Sequence, residues 1–167
     1  LELASPASVR AFAARFLASE PALHILVNNA GVMACPLSRT PEGWELQFAT
    51  NHLGHFLLTA LLLPALRAGA PSRVVNLSSS GHRIAGVDLA DPHFERRPYD
   101  KWQAYGQSKS ANVLFSVEFE RRFAHEGIHA NAVHPGAIVT ELGRHMSRDD
   151  MKDLLARAPA GKGFTWK

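Results

Sequence analysis

The chain has 167 residues, which suits one domain spanning 1–167, and 46% of them are hydrophobic, enough to supply a core. Its 18 basic and 15 acidic residues give a formal charge of +3 without a sustained basic run, which argues against nucleic-acid binding. The single Cys35 excludes an internal disulfide and suits a reducing compartment. The apolar stretch 56–66 is too short to cross a bilayer, and Pro64 interrupts it. We expect a soluble, cytoplasmic domain with no evident membrane segment.

Helical and strand patterns alternate along the chain. Ser5 as N-cap and Pro6 at the first helical position predict a helix with one apolar face. Thr40-Pro41-Glu42 predicts the start of a second helical region in the same way, and residues 102–123 read as a third. Three short apolar runs predict buried strands, at 23–28, 74–80 and 128–134. This alternation predicts an α/β fold with a parallel sheet covered on both faces.

Polar residues follow each predicted strand. The first run exits into Asn28-Asn29-Ala30-Gly31, the second ends in Ser78-Ser79-Ser80, and the third leads to Pro135-Gly136. In open α/β sheets the ligand sits outside the carboxyl ends of the strands. We therefore expect a ligand site at this edge of the sheet.

Tyr105 is followed four positions later by Lys109, and residues four apart lie on one face of a helix. A free phenol has a pKa near 10, and a nearby ammonium favours the phenolate. Lowering the pKa toward neutrality is what general acid-base chemistry requires. Alone, the pair could equally be an exposed helical pair, so its meaning depends on the motifs around it.

Taken together, these motifs resemble the short-chain dehydrogenase/reductase family, whose fold is a Rossmann-type doubly wound sheet. The retinol-dehydrogenase-like and WW-domain-oxidoreductase-like branch is the most similar. The segment 51–56, the wide spacing from Ser79 to Tyr105 and His134 before the Pro-Gly pair support that branch. The resemblance extends from residue 1 to about Arg144. It implies an NAD(P)-dependent oxidoreductase that moves hydride between a small-molecule alcohol and a carbonyl.

The resemblance also implies a catalytic set of Ser79, Tyr105, Lys109 and Asn51. Tyr105 would exchange a proton with the substrate oxygen, and Lys109 would lower the pKa of Tyr105 and bind the nicotinamide ribose. Ser79 would hold the substrate oxygen, although the serines on either side leave that choice open. Asn51 would help a water relay protons through Lys109. The alternatives without catalysis are an ordinary turn or helix cap for the serines and a backbone-bonding role for Asn51 in a kinked helix.

The implied cofactor is NAD or NADP. Gly31 would allow a close approach to the cofactor ribose, since it has no side chain. Besides Tyr105 and Lys109, the residues implied to contact the dinucleotide are Glu2, Leu3, Asn29, Ala30, Gly31, Pro135, Gly136, Ile138 and Thr140. No metal is expected: His52 and His55 lack an apparent third ligand, so packing is favoured for both.

The beginning of the chain departs from the family pattern. A complete member opens with a strand and a glycine-rich turn that seats the pyrophosphate, and no such turn occurs in this sequence. Residues 1–4 look like the family's third strand. We therefore expect a partial sheet that lacks the first two strands and the last, a fragment truncated at both ends.

Such a truncation would leave the strand at 23–28 as an uncovered apolar edge. We expect the chain alone to be poorly stable and inactive. The alternative to an oxidoreductase is a non-catalytic remnant or interaction module that cannot bind the dinucleotide.

Three other segments have simpler interpretations. Residues 86–98 read as an irregular insertion. Ser147 with Asp150 forms a capping box that opens a short helix. Relatives use this region to cover the substrate, so residues 147–156 are a candidate lid. An aromatic row at helical spacing favours the core or a homodimer contact over a substrate pocket; its members are Phe115, Phe119 and Phe123.

Overall fold

The structure is a computed structural model that describes residues 1–136, 141–144 and 146–156. Its α-helices are α1 (Pro6–Ser19), α2 (Leu46–Phe48), α3 (Gly54–Leu61), α4 (Leu63–Ala68), α5 (Lys101–Phe123) and α6 (Arg148–Ala156). Its strands are β1 (Ile25–Asn28), β2 (Ser72–Leu77) and β3 (Ile128–Val133). A π-helix spans Ala49–Leu53, and 3-10 helices span Ser80–Arg83, Ala124–Glu126 and Glu141–Gly143.

The three strands form a parallel sheet in the order β1-β2-β3. Val74 at its centre pairs with Leu26 on one side and with Ala130 on the other. The predicted α/β fold with a parallel sheet is therefore confirmed. Because parallel strands end at the same edge, the segments that follow β1, β2 and β3 are brought side by side.

Strand β1 forms an edge of the described sheet. Ile25 and Val27 are 62% and 53% exposed on one of its faces, whereas Leu26 packs against buried apolar side chains. The expected apolar edge is thus present. The prediction that both faces of the sheet are covered does not hold for β1, since in the described ranges no helix lies over Ile25 and Val27.

Two apolar clusters fix the helices. One joins the sheet to α4 and α5 through Leu66, Val74, Phe119, Ile128 and Ala130. The second joins α1 to the end of α3 through Val9, Ala13, Leu58 and Leu62. Phe115 and Phe123 pack against the first cluster, so the aromatic row of α5 belongs to the core rather than to a pocket. No helix in the described ranges is long and apolar enough to cross a membrane.

Both predicted caps are confirmed. The Ser5 hydroxyl accepts a hydrogen bond from the Ser8 amide at 3.3 Å at the start of α1. Before α6, Ser147 and Asp150 bond each other's backbone amides at 3.1 and 2.8 Å. These bonds satisfy amides that the helix itself leaves without partners.

Residues 1–4 do not form the predicted strand. The Ser5 amide instead bonds the carbonyl of Glu2 at 3.2 Å, which makes a turn. A strand needs a neighbour to complete its hydrogen bonds, and none is described beside these residues. Leu3 packs against the start of α3, where a Cβ on Gly54 would lie 2.3 Å from the Leu3 carbonyl oxygen.

The predicted helix start at Thr40-Pro41-Glu42 is also wrong. Arg39 and Glu45 pair in an isolated antiparallel bridge, and the turn between them places Gly43 at φ +87°. Helix α2 begins later because the Glu45 carboxylate accepts hydrogen bonds from the amides of Gln47 and Phe48, at 3.0 and 2.7 Å. A side-chain oxygen that accepts from these amides satisfies donors that the first turn of the helix leaves without partners.

Candidate active site

The carboxyl ends of the strands carry the residues that the sequence places there. Asn29 and Ala30 follow β1 and are exposed. Ser79 follows β2 and begins the 3-10 helix Ser80–Arg83. Pro135 and Gly136 follow β3 and are exposed as well. The predicted ligand edge is therefore present as an open row of polar and small residues.

Tyr105 and Lys109 point to the same side of α5. The Lys109 ammonium lies 5.6 Å from the centre of the Tyr105 ring, and each residue is 4% exposed. The ammonium also donates a hydrogen bond to the Leu77 carbonyl at 3.0 Å, at the end of β2. The pair is thus buried against the sheet edge and is not an exposed helical pair.

The choice among the three serines is resolved by their partners. The Ser78 hydroxyl donates to the Lys109 carbonyl at 2.9 Å and is buried, while Ser80 is exposed. Ser79 lies beside the Tyr105 ring: a Cβ on Gly81 would lie 3.5 Å from the Ser79 Oγ and 2.8 Å from Cε1 of Tyr105. Its hydroxyl also accepts from the Gly81 amide at 3.1 Å. Ser79 is therefore the serine that meets the phenol, and Ser78 ties β2 to α5.

The Tyr105 ring lies tightly against the backbone after Ser79. A Cβ added to Gly81 would lie 2.8 Å from Cε1 of Tyr105. Real Cβ atoms do not approach that closely, so a glycine is needed at this position for the ring to sit beside Ser79.

Burial dominates the electrostatics of the pair. It raises the pKa of Tyr105 above its usual 10, and the neighbouring Ser79 acts in the opposite direction. Burial also lowers the pKa of Lys109 from 10.5 to about 8. The expected net lowering of the Tyr105 pKa is therefore not seen, because burial is the largest influence on it. The ammonium lies over the ring and donates to the Leu77 carbonyl.

Asn51 lies in the π-helix and is fully buried. Its side chain accepts from the Val32 amide at 2.8 Å and donates to the Val32 carbonyl and the Ser108 hydroxyl, at 2.9 and 3.0 Å. Its own carbonyl accepts from the Asn112 amide group at 3.1 Å. The side chain therefore clamps the segment after β1 to α5. The backbone-bonding alternative describes the contacts in this structure.

Gly31 has a neighbour that the resemblance did not indicate. A Cβ at this position would lie 3.0 Å from Oδ1 of Asn51, so its lack of a side chain makes room for the Asn51 clamp. Glu2 is exposed at the turn before α1. The predicted cofactor contacts Ile138 and Thr140 lie outside the described residues.

The two histidines of the 51–56 segment have packing roles. His52 lies 5.3 Å from the Phe48 ring centre and 3.1 Å from the Asn112 side-chain oxygen. His55 bonds the Asn51 carbonyl at 3.1 Å through Nδ1, and burial lowers its pKa to about 4. Both rings therefore support the π-helix.

The candidate lid rests on the start of α5. The Trp102 indole N–H donates to Asp153 at 2.8 Å, and Lys101 forms an ion pair with Asp150. A cleft of about 310 Å³ lies beside these contacts and includes Pro36 in its lining.

A second buried polar cluster was missed by sequence reasoning. Its centre is the Tyr99 hydroxyl, which donates to the Cys35 carbonyl at 2.9 Å and lies 3.2 Å from the Glu45 carboxylate. The Gln47 amide group donates to the same hydroxyl at 2.8 Å. Burial and the neighbouring carboxylate both raise the pKa of Tyr99. The acidic Glu45 before an apolar helical run was the available signal.

Comparison with known proteins identifies the class that this fold and site define. The family model described as short chain dehydrogenase matches residues 1–151, and the chain belongs to that family. Human retinol dehydrogenase 13 is 52% identical over 145 residues, covering 87% of this chain and 44% of that relative. Human retinol dehydrogenase 12 is 52% identical over 147 residues, covering 88% and 46%. These relatives support the retinol-dehydrogenase-like branch. The chain spans about half the length of such relatives.

Solved structures share the fold. The NADPH-bound carbonyl reductase from chicken fatty liver superimposes with a TM-score of 0.64 at 26% identity, covering 90% of this chain and 61% of that chain. The confirmed parallel sheet is thus the sheet of short-chain dehydrogenases.

Proposed function

We propose that this chain is the central part of an NAD(P)-dependent oxidoreductase that interconverts an alcohol and a carbonyl. The observation that carries the proposal is the convergence of Ser79, Tyr105 and Lys109 at the carboxyl ends of the parallel strands. Perturbed, buried titratable groups at such an edge are typical of catalytic sites. The comparisons support an oxidoreductase of this family.

The proposed roles follow from the contacts. The Tyr105 hydroxyl holds the proton that passes to a carbonyl oxygen or comes from an alcohol. Ser79, beside the Tyr105 ring, is placed to hold the same substrate oxygen. Lys109 is close enough to keep positive charge beside the phenol and offers a donor toward the sheet edge. Asn51 orients the segment after β1 through Val32.

A nicotinamide dinucleotide fits the row of residues along the strand ends. Asn29, Ala30, Pro135 and Gly136 are exposed there, and a Cβ at Gly136 would meet nothing within 4 Å. When bound, NAD or NADP would supply or accept the hydride. Tyr105, Lys109 and these four residues would hold it, while the chain's side chains position the substrate oxygen and its proton.

The proposed substrate is an apolar primary alcohol or its aldehyde. The support is the similarity to proteins named retinol dehydrogenase, which covers 87% of this chain. The exposed Pro36 provides apolar surface near the candidate lid.

Replacing each tyrosine in turn tests the proposal, because the chain has only two. In the full-length protein, Tyr105→Phe should lower kcat for reduction of an apolar aldehyde with NADPH or NADH by about 10²–10⁴-fold, the usual contribution of a general acid. Dinucleotide binding, measured by calorimetry, should persist. Tyr99→Phe is the matched control and should retain turnover. Near-native turnover of Tyr105→Phe would refute the proposed role.

A further inference from the structure

The short helix that follows Ser79 is fastened at both ends. Ser79 caps its start by accepting from the Gly81 amide at 3.1 Å. At its far end the Ser110 hydroxyl lies 2.9 Å from the His82 carbonyl and 2.6 Å from the Ala85 carbonyl. Carbonyls at a helix end lack partners within the helix, so Ser110 supplies one from α5. The residue one position after Lys109 thereby holds the segment that Ser79 begins.

Gln107 binds the insertion at 86–98, which follows the short helix in the chain. It lies between Tyr105 and Lys109 in sequence and is 1% exposed. Its side-chain oxygen accepts from the Asp88 amide and from the Arg97 guanidinium, both at 3.1 Å. Its NH2 group donates to the Pro92 carbonyl at 2.8 Å. One buried amide thus joins three points of the segment 88–97 to α5.

Gly106 lets the two parts meet closely. A Cβ on Gly106 would lie 2.8 Å from the Gly81 carbonyl oxygen and 3.1 Å from the Ala85 amide nitrogen. The face of α5 formed by Gly106, Gln107 and Ser110 is therefore in direct contact with the chain that runs from Ser79 into the insertion. We call these three residues the clasp.

We propose that Gln107 and Ser110 are positioning residues: by fastening the chain after Ser79 to α5, they hold the Ser79 hydroxyl beside the Tyr105 ring. This inference rests on the proposed function and adds two residues to it. Neither needs to touch substrate. Tyr105, Gln107 and Ser110 share one rigid helix, so the phenol and the fastening points move as one body.

The need for such residues follows from geometry. Ser78 fixes the end of β2 to α5, but Ser79 is only partly buried and lies where the chain leaves the sheet. A misplacement of about 1 Å at a reacting group can reduce the rate about 100-fold. The clasp supplies the second fixed point, on the far side of Ser79.

Nuclear magnetic resonance of tyrosine labelled with carbon-13 at Cζ tests the inference without requiring turnover. Residues 1–167 contain two tyrosines; Tyr105→Phe and Tyr99→Phe identify their two signals, and the Tyr99 signal is the reference. Ser79→Ala, which removes the hydroxyl beside Tyr105, defines the change in the Tyr105 signal. Ser110→Ala and Gln107→Met should each move the Tyr105 signal in the same direction by a smaller amount. The control Gln103→Met, at an exposed site on α5, should leave it unchanged.

A double-mutant cycle separates positioning from general destabilisation. If Ser110 acts through Ser79, Ser110→Ala should have no further effect on the Tyr105 signal in the Ser79→Ala background. An equal effect in both backgrounds, or no effect of either clasp variant on a folded protein, would overturn the inference. Should Gln107→Met not fold, Ser110→Ala alone decides.

Turnover gives a second readout. In the full-length protein Ser110→Ala should lower kcat about 10-fold while leaving the KM for the dinucleotide unchanged, because Ser79 faces the substrate oxygen. If the protein shows no dinucleotide-linked turnover at all, the proposed function fails while the resonance test still stands. If the protein turns over but neither clasp variant shifts the Tyr105 signal, the inference about Gln107 and Ser110 fails and the proposed function stands.

Discussion

The two tyrosines lie six positions apart and show what burial does under different neighbours. Tyr99 lies beside the Glu45 carboxylate, which, together with burial, raises its pKa. Tyr105 is also buried, but the neighbouring Ser79 opposes the rise in pKa, and an ammonium lies 5.6 Å from its ring. A negative neighbour locks the first phenol in its neutral form. At the second phenol burial also raises the pKa, but the neighbouring Ser79 opposes the rise.

The surroundings of the two hydroxyls also distinguish a structural tyrosine from a catalytic candidate. The Tyr99 hydroxyl is surrounded by the Cys35 carbonyl, the Gln47 amide and the Glu45 carboxylate, so it joins three parts of the fold. The Tyr105 ring lies beside the partly buried Ser79 at the open edge of the sheet. A buried tyrosine is therefore a catalytic candidate only when its hydroxyl faces a site that a ligand can reach.

The largest effect on stability is expected at Lys109, the cation on the Tyr105 side. Its pKa falls from 10.5 to about 8 on folding, because burial disfavours the charged form. Between these values the unfolded chain binds the proton that the folded protein has released, so stability rises with pH. Each pKa unit corresponds to about 1.4 kcal/mol, so the buried charge lowers the free energy of unfolding by about 3 kcal/mol at neutral pH.

Urea unfolding of the wild type and Lys109→Met at about pH 7 and about pH 9.5 measures this contribution. The wild type should gain stability relative to the variant as the pH rises. Parallel pH curves for the two proteins would show that the ammonium is not buried in its charged form.

A smaller effect is expected for Tyr99→Phe. Removing its hydroxyl leaves the Cys35 carbonyl without its donor and takes a hydrogen bond from Glu45, which should destabilise the fold by about 1–2 kcal/mol. Tyr105→Phe removes a hydroxyl whose neighbour Ser79 is partly exposed, and it should cost less. Urea midpoints of the two variants test this order. The reverse order would mean that Tyr105 is the structural tyrosine.

The sequence predicts the site better than it predicts the segment around Tyr99. Tyr105 and Lys109 belong to one helix, and Ser79 ends a strand, so local periodicity places them. The bonds of Tyr99 reach Glu45, 54 positions away, and no local pattern encodes such a contact. The choice of Ser79 over its neighbours likewise depends on which hydroxyl α5 meets.

Two local predictions failed for the same reason. Thr40-Pro41-Glu42 has the chemistry of a helix start, but Glu45 caps a later start after a turn at Gly43. Residues 1–4 have strand composition without a described partner strand. In both cases tertiary hydrogen bonds decided between local options that the sequence left nearly equal.

The smallest effect is expected from a variant that changes the charged neighbour of Tyr99 and keeps its phenol. Glu45→Gln preserves the shape of the side chain and an oxygen that accepts from the Gln47 and Phe48 amides, but removes the negative charge beside Tyr99. Since that charge raises the pKa of Tyr99, the pKa should fall toward its ordinary value in the variant. Carbon-13 titration of the two tyrosines measures the change, with the signal of Tyr105 as the internal control. An unchanged pKa of Tyr99 would assign its rise to burial alone, and neighbours would then no longer explain how the two phenols differ.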